Sequence, residues 1–173
     1  SQIAQLTHGA LDRATASGAA ELQLGLNLPI DAMDRSRVRG SVTLSGNDAC
    51  VVLAEAVAGT EEAFVNLMNQ KAAELGLKNS RFGTSNGWPD EGRTYVTARD
   101  LAHLAKATIS NHPDLYKRFY SRESFTFGTT MGGAPITQAN RDPLLGRVKG
   151  SDGLKTGHTD EAGYGFTGSA EQN

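Results

Sequence analysis

Apolar residues along the chain recur with two different periods, and the change of period marks its elements. From Gln2 to Ala16, Ile3, Leu6, Ala10, Leu11 and Ala14 fall at helical spacing, and Gly18 offers a stop. From Glu21 to Leu28, Leu22, Leu24, Leu26 and Leu28 alternate with Gln23, Gly25 and Asn27, the period of a half-buried strand that Pro29 ends. Asp31 to Arg39 is charged throughout and reads as a solvated turn or short helix. The most apolar helix predicted, Ala49 to Ala58, follows Ser45-Gly46-Asn47-Asp48 and closes at Gly59, and its all-round apolar character is that of a central core helix. Thr60 then caps a helix from Glu61 to Leu75 that Gly76 ends, with Phe64, Val65, Met68 and Leu75 as its core face.

The stretch Phe82 to Arg93 is crowded with Gly83, Asn86, Gly87, Pro89 and Gly92 and reads as a structured loop around Trp88. Thr97 caps a helix over Ala98 to Asn111, Pro113 stops it, and a short helix over Asp114 to Tyr120 follows. Ser124 to Phe127 is a short strand, with Thr129 to Pro135 as its loop. Gly153 to Thr159 and Gly163 to Ala170 flank a turn and read as a β-hairpin. A helical middle with strands at both ends is an α+β arrangement in a single domain over residues 1–173: an N-terminal helix and strand (1–40), a mainly helical part (41–150) and the hairpin (151–173).

Composition narrows the function classes. The 173 residues are 38% hydrophobic, and the 20 glycines bring the chain into the globular range. Seventeen Lys and Arg against 19 Asp and Glu leave a net charge of −2, so no overall field draws the chain to nucleic acid or to an anionic membrane. The single cysteine, Cys50, excludes an internal disulfide and reads as a small buried hydrophobe. His8 and His103 read as helix-surface residues and His112 as a helix-end cation, so neither a metal nor an organic cofactor is called for. Asp48 reads as a helix cap, and Asp100, Glu61 and Glu62 as ordinary helix charges. No apolar run approaches the roughly 20 residues needed to span a bilayer, and the start, Ser1-Gln2-Ile3, has no signal-peptide pattern.

Two short boxes carry chemistry. Ser45-Gly46-Asn47 alone is explained by helix capping, and Lys155-Thr156-Gly157 alone by a solvated edge lysine. Together they match the Ser-x-Asn and Lys-Thr-Gly boxes that face one another across the cleft of serine acyl-transfer enzymes. Around them stand Leu44-Ser45-Gly46-Asn47-Asp48-Ala49-Cys50, Phe64-Val65-Asn66-Leu67-Met68-Asn69, Leu75-Gly76-Leu77 and Gln138-Ala139-Asn140-Arg141. Asp152-Gly153-Leu154-Lys155-Thr156-Gly157-His158-Thr159 and Ala162-Gly163-Tyr164 complete the set. In this order the chain, from Val42 to Glu171, resembles the D-alanyl-D-alanine carboxypeptidases, the low-molecular-mass penicillin-binding proteins that trim peptidoglycan.

That resemblance implies a partial penicillin-binding, β-lactamase-like transpeptidase fold, a helical subdomain with a shortened antiparallel sheet. It implies a peptidoglycan stem peptide or a β-lactam as ligand, and a periplasmic or cell-envelope location. Residue by residue, it implies that Ser45 relays a proton toward the leaving amine and that Asn47 bonds the substrate amide and orients a catalytic lysine. Lys155 supplies positive charge, Thr156 and Gly157 meet the substrate's carboxylate end, His158 offers its backbone N–H to an oxyanion, and Arg141 helps recognise the carboxylate. One departure is plain: no serine has lysine three positions later, and the nearest imitation, Ser36-Arg37-Val38-Arg39, carries an arginine that stays protonated. Direct acylation by this chain is therefore not expected. A non-catalytic binding module, or a truncated, rearranged or designed fragment of such an enzyme, stands beside the enzyme reading. The family's usual last strand, closing helix, second β-domain and anchoring helix find no counterpart here, and an exposed edge near Thr167 is where two copies could pair as a homodimer.

Overall fold

A computed structural model describes Ala20–Glu21 and Asn27–Leu28 at the backbone level, Thr43, and residues 45–172. The expected helix from Gln2 to Ala16 and the charged segment from Asp31 to Arg39 lie outside the described residues. Strands β1 (Ala20–Glu21) and β2 (Asn27–Leu28) pair antiparallel, Ala20 with Leu28 and Glu21 with Asn27. This corrects the single strand expected from Glu21 to Leu28, because the two ends of an unbroken strand cannot pair with each other.

Helix α1 (Asn47–Ala58) starts two residues before the expected Ala49, with Gly46 as its N-cap and Asp48 in its first turn. Gly59 closes it in the left-handed region at φ 84°, its N–H donating to the Glu55 carbonyl. Helix α2 (Glu61–Glu74) packs against α1 and is capped by Thr60, whose hydroxyl accepts from Ala63 N at 3.1 Å. Helix α3 (Ala98–Asn111) is capped in the same way by Thr97, which accepts from Asp100 N. Helix α4 (Pro113–Phe119) begins with the proline, whose missing N–H costs nothing in a first turn. Among the described residues no helix is long and apolar enough to cross a membrane.

Strands β3 (Ser124–Thr129) and β4 (Pro135–Ala139) form one antiparallel hairpin, and β5 (Ser151–Thr159) and β6 (Gly163–Ala170) another. The second hairpin is the expected one. Strand β4 was not foreseen, because it is exposed along nearly its whole length and Ile136 is its one large apolar residue, too little for an apolar alternation. Among the described residues β6 pairs with β5 alone.

The core sits where α4 meets β5. Tyr116, Phe119, Tyr120 and Leu154 are buried together, and Leu53, Ala105, Ile109 and Leu115 pack around them. Tyr116 and Tyr120 stack with ring centroids 5.5 Å apart. Helix α1, expected at the centre, has only Ala54 fully buried. Its apolar residues are mostly small, whereas each aromatic ring of α4 removes about 150–250 Å² from water and so organises the packing. The core face expected for α2 is likewise half-buried, with Ala72 as the helix's buried residue and Leu77 buried just beyond its end.

Candidate functional site

The chain turns sharply into α1. Ser45 has φ 59°, a left-handed conformation that a residue with a Cβ enters only at a cost of about 1–3 kcal/mol. Gly46, not Ser45 or Asn47, is the N-cap, and it has no side chain to cap with. The capping explanation of the Ser-Gly-Asn box therefore fails, and so does the capping reading of Asp48, an exposed first-turn residue.

Opposite that turn, Lys155 extends from β5. Its Nζ donates to Ser45 Oγ at 3.0 Å and to the carbonyl oxygen of its own neighbour Thr156. The two boxes, 110 residues apart in sequence, thus meet through their polar ends. Lys155 is half-buried; that burial pushes its ammonium below the ordinary lysine range, the Arg141 cation pushes it the same way, and Cys50 opposes both. A lysine so depressed gives up its proton more readily than a surface lysine does.

The other expected residues take different positions. Asn47 opens α1 two residues after Ser45, and among the described residues no hydrogen bond ties its side chain to Lys155. Arg141 is exposed, yet close enough to act on the Lys155 charge. Its backbone is set by Asn140, whose N–H donates to the Glu123 carbonyl and whose Nδ2 donates to the Arg122 carbonyl. Thr156, Gly157 and His158 continue along β5, opposite Phe166, Gly165 and Tyr164. Nothing lies within 4 Å of the point where a Gly157 Cβ would sit, so the strand presents open backbone there. The exposed His158 ring lies 4.1 Å from that of Tyr164. Cys50 is half-buried beside the cleft, not enclosed as expected. Among the described residues no three His, Cys, Asp or Glu side chains cluster as metal ligands would.

Several polar groups outside the two boxes make ties that their sequence positions do not announce. Asp100, expected as a helix charge, is buried, and its Oδ2 accepts from Asn79 N at 2.9 Å and Ser80 Oγ at 2.8 Å. Burial with both donors in place makes it a tie between α3 and the segment that follows α2. Glu61 Oε1 accepts from Ser85 N at 3.0 Å and Ser85 Oγ at 2.7 Å, which lowers its pKa. Asp90 accepts from Thr94 Oγ1 and Thr94 N, and these bonds hold its carboxyl below the ordinary range. A Cβ at Gly83 would fall 2.1 Å from Asp90 Oδ2, so that glycine is needed for the close approach. Together these bonds fold the loop expected from Phe82 to Arg93, while Trp88 itself is 60% exposed and anchors nothing. A cavity of about 570 Å³ lies at the start of β5, beside Ser121, Ser151 and Asp152, and neither Ser45 nor Lys155 lines it.

The chain is similar to known proteins in sequence and in fold. The sequence profile of the D-alanyl-D-alanine carboxypeptidases matches residues 10–173. The chain is 41% identical over 152 residues to D-alanyl-D-alanine carboxypeptidase DacA of Escherichia coli (strain K12), an alignment covering 87% of this chain and 35% of DacA. It therefore spans about a third of the length of the curated relatives it matches. Among solved structures, the D-alanyl-D-alanine carboxypeptidase DacD from Francisella tularensis superposes with a TM-score of 0.75 at 29% identity, over 94% of this chain and 49% of DacD. Penicillin-Binding Protein D2 from Listeria monocytogenes, solved in its ampicillin-bound form, gives 0.68 at 31% identity, over 98% and 71%.

Proposed function

The chain belongs to the D-alanyl-D-alanine carboxypeptidase family, and from that premise we propose that it binds the D-alanyl-D-alanine end of a peptidoglycan stem peptide, or a β-lactam that imitates it. The ligand lies between the turn at Ser45–Asn47 and the β5 wall from Lys155 to His158. The observation that carries this reading is the 3.0 Å contact from Lys155 Nζ to Ser45 Oγ.

The chemistry follows from the groups present. With Lys155 Nζ donating to Ser45 Oγ, the Ser45 hydroxyl proton is left to point at the ligand's terminal amide. From there it would pass to the departing amine were an attacking serine to break that bond, and the lowered lysine pKa suits Lys155 to replace it. Lys155 and Arg141 together attract the ligand's terminal carboxylate, the Thr156 hydroxyl donates to it, and Gly157 leaves the strand backbone accessible. Asn47 bonds the ligand amide, and the His158 N–H serves the oxyanion. The attacking serine of a Ser-x-x-Lys box is not among these 173 residues. By itself, then, the chain binds without forming an acyl-enzyme, in a periplasmic or cell-envelope setting.

Fluorescent penicillin and a D-alanyl-D-alanine peptide test this. The expected result is reversible binding that Lys155→Ala weakens about 10–100-fold, the worth of a hydrogen bond to a charged group, with no gain in intact mass. Binding indifferent to Lys155→Ala would refute the site. A covalent penicillin adduct would refute the claim that no acylation occurs.

A further inference from the structure

The pairing of β5 with β6 changes phase once. Ser151 opposes Ala170, yet Gly153 opposes Ser169, and from there the register is unbroken to Thr159 and Gly163. Two steps along β5 meet one along β6, so Asp152 is the extra residue of a β-bulge. Upstream the strand is tied by Ser151 N to the Val148 carbonyl and by Glu171 N to the Gly150 carbonyl. Downstream, Leu154 turns into the aromatic core and Lys155 turns to Ser45. Side chains alternate along a strand, so loss of the one extra residue would exchange those two faces and bring the lysine against Tyr116 and Phe119.

Asp152 is held from three sides. Its Oδ1 accepts from Tyr116 OH at 3.1 Å and from Ser169 Oγ at 2.6 Å, the two hydroxyls touch each other, and its carbonyl accepts from Ser121 Oγ at 2.8 Å. Tyr116 is only 1% exposed, so this bonding is fixed by the core. The cavity beside Ser121, Ser151 and Asp152 lies on the other side of the bulge. Hydrogen bonds therefore hold the extra residue itself, while the next residue, Gly153, is seated directly against Tyr116 and Tyr120.

We propose that Asp152 is a positioning residue, one that, gripped by Tyr116, Ser169 and Ser121, sets the strand phase that points Lys155 at Ser45. The inference rests on the reading of Lys155 as the cleft lysine. It is tested by amide-resolved hydrogen exchange on the full chain, because among the described residues β5 is paired on one side only and its amides alternate between bonded and open. In Asp152→Ala the alternation from Leu154 to Thr159 is expected to invert or vanish, and Asp152→Asn, which keeps an acceptor oxygen, is expected to retain it. A merely structural residue would lower protection throughout and leave the phase unchanged, and that result, or an Asp152→Asn variant as disturbed as Asp152→Ala, would overturn the proposal. Should Asp152→Ala fail to fold, the double variant Tyr116→Phe with Ser169→Ala is judged by the same criterion. Exchange reads the backbone alone, so an inverted phase in a protein whose wild type binds no D-alanyl-D-alanine peptide would sink the function and leave the positioning role standing.

Discussion

Replacing Gly153 by alanine tests how tightly β5 is seated on the core. The added Cβ would lie 2.6 Å from the Tyr116 hydroxyl oxygen, 3.3 Å from the ring carbon that bears it and 3.4 Å from the Tyr120 Cβ. The ring cannot retreat, because Tyr116 is buried and stacked on Tyr120. Either the strand shifts, an overpacking cost of about 1–3 kcal/mol, or the hydroxyl leaves Asp152 and forfeits a charged hydrogen bond of about 1.5–3 kcal/mol. One of these occurs, giving about 1–3 kcal/mol. For a chain of this length each kcal/mol lowers the melting temperature by about 2–4 °C, so a fall of about 2–12 °C is expected in thermal unfolding. The sharper observable is the cycle with Tyr116→Phe, which deletes the clashing oxygen. The two substitutions together should then cost about 1–2 kcal/mol less than the sum of the singles. Additivity within about 0.5 kcal/mol, or a Gly153→Ala protein as stable as the wild type, would refute the geometry on which the argument stands.

Burial pushes the Tyr116 phenol from 10.0 up to about 12, with Asp152 adding to the rise and the Ser169 bond opposing it. Its contribution to stability is therefore complete below pH 10 and lost as pH rises toward about 12; a phenolate absorbance step near pH 10 from this residue, isolated by comparison with Tyr116→Phe, would contradict it. Glu61 and Asp90, both held below their ordinary values by hydrogen bonds into the Trp88 loop, stabilise that loop above the unfolded values of 4.5 and 3.8 and release it as pH falls through the lower folded ones. Fluorescence of the single tryptophan should accordingly be flat above about pH 5 and change below it, and Glu61→Ala should speed exchange of the Ser85 amide at neutral pH; an unchanged Ser85 amide would remove Glu61 from the loop.

What was legible in the sequence shares one physical property: its cause is local. Thr60 and Thr97 cap their helices through bonds to residues three positions on, and Gly59 ends α1 by its own backbone freedom. The β5–β6 hairpin was visible because its turn and both strands are contiguous. Features with distant causes were not legible. Asp100 looks like any helix carboxylate until Asn79 and Ser80 reach it from about twenty residues earlier. The Asp152 bulge depends on a tyrosine and a serine brought in by another helix and another strand. Hydropathy points to α1 as the core because it counts alanines and valines, whereas buried area follows the aromatic residues of α4.

The two boxes illustrate the same divide from the functional side. Each is a short local pattern, but their meeting depends on packing that neither contains. Leu53, about two turns along α1 from Ser45, and Leu154, the residue before Lys155, join the same aromatic cluster around Tyr116. The distance between hydroxyl and ammonium is thus set by apolar contacts on both sides of the polar pair, in a core that is close-packed and yields little. This rigidity is what lets Ser45 remain at φ 59° and Lys155 remain half-buried, two states that a loose scaffold would relax by rotating the turn or letting the lysine reach water. Strain at the serine and desolvation at the lysine are therefore two consequences of one arrangement. A substitution that loosens the cluster, far from either box, should abolish both together before it unfolds the chain.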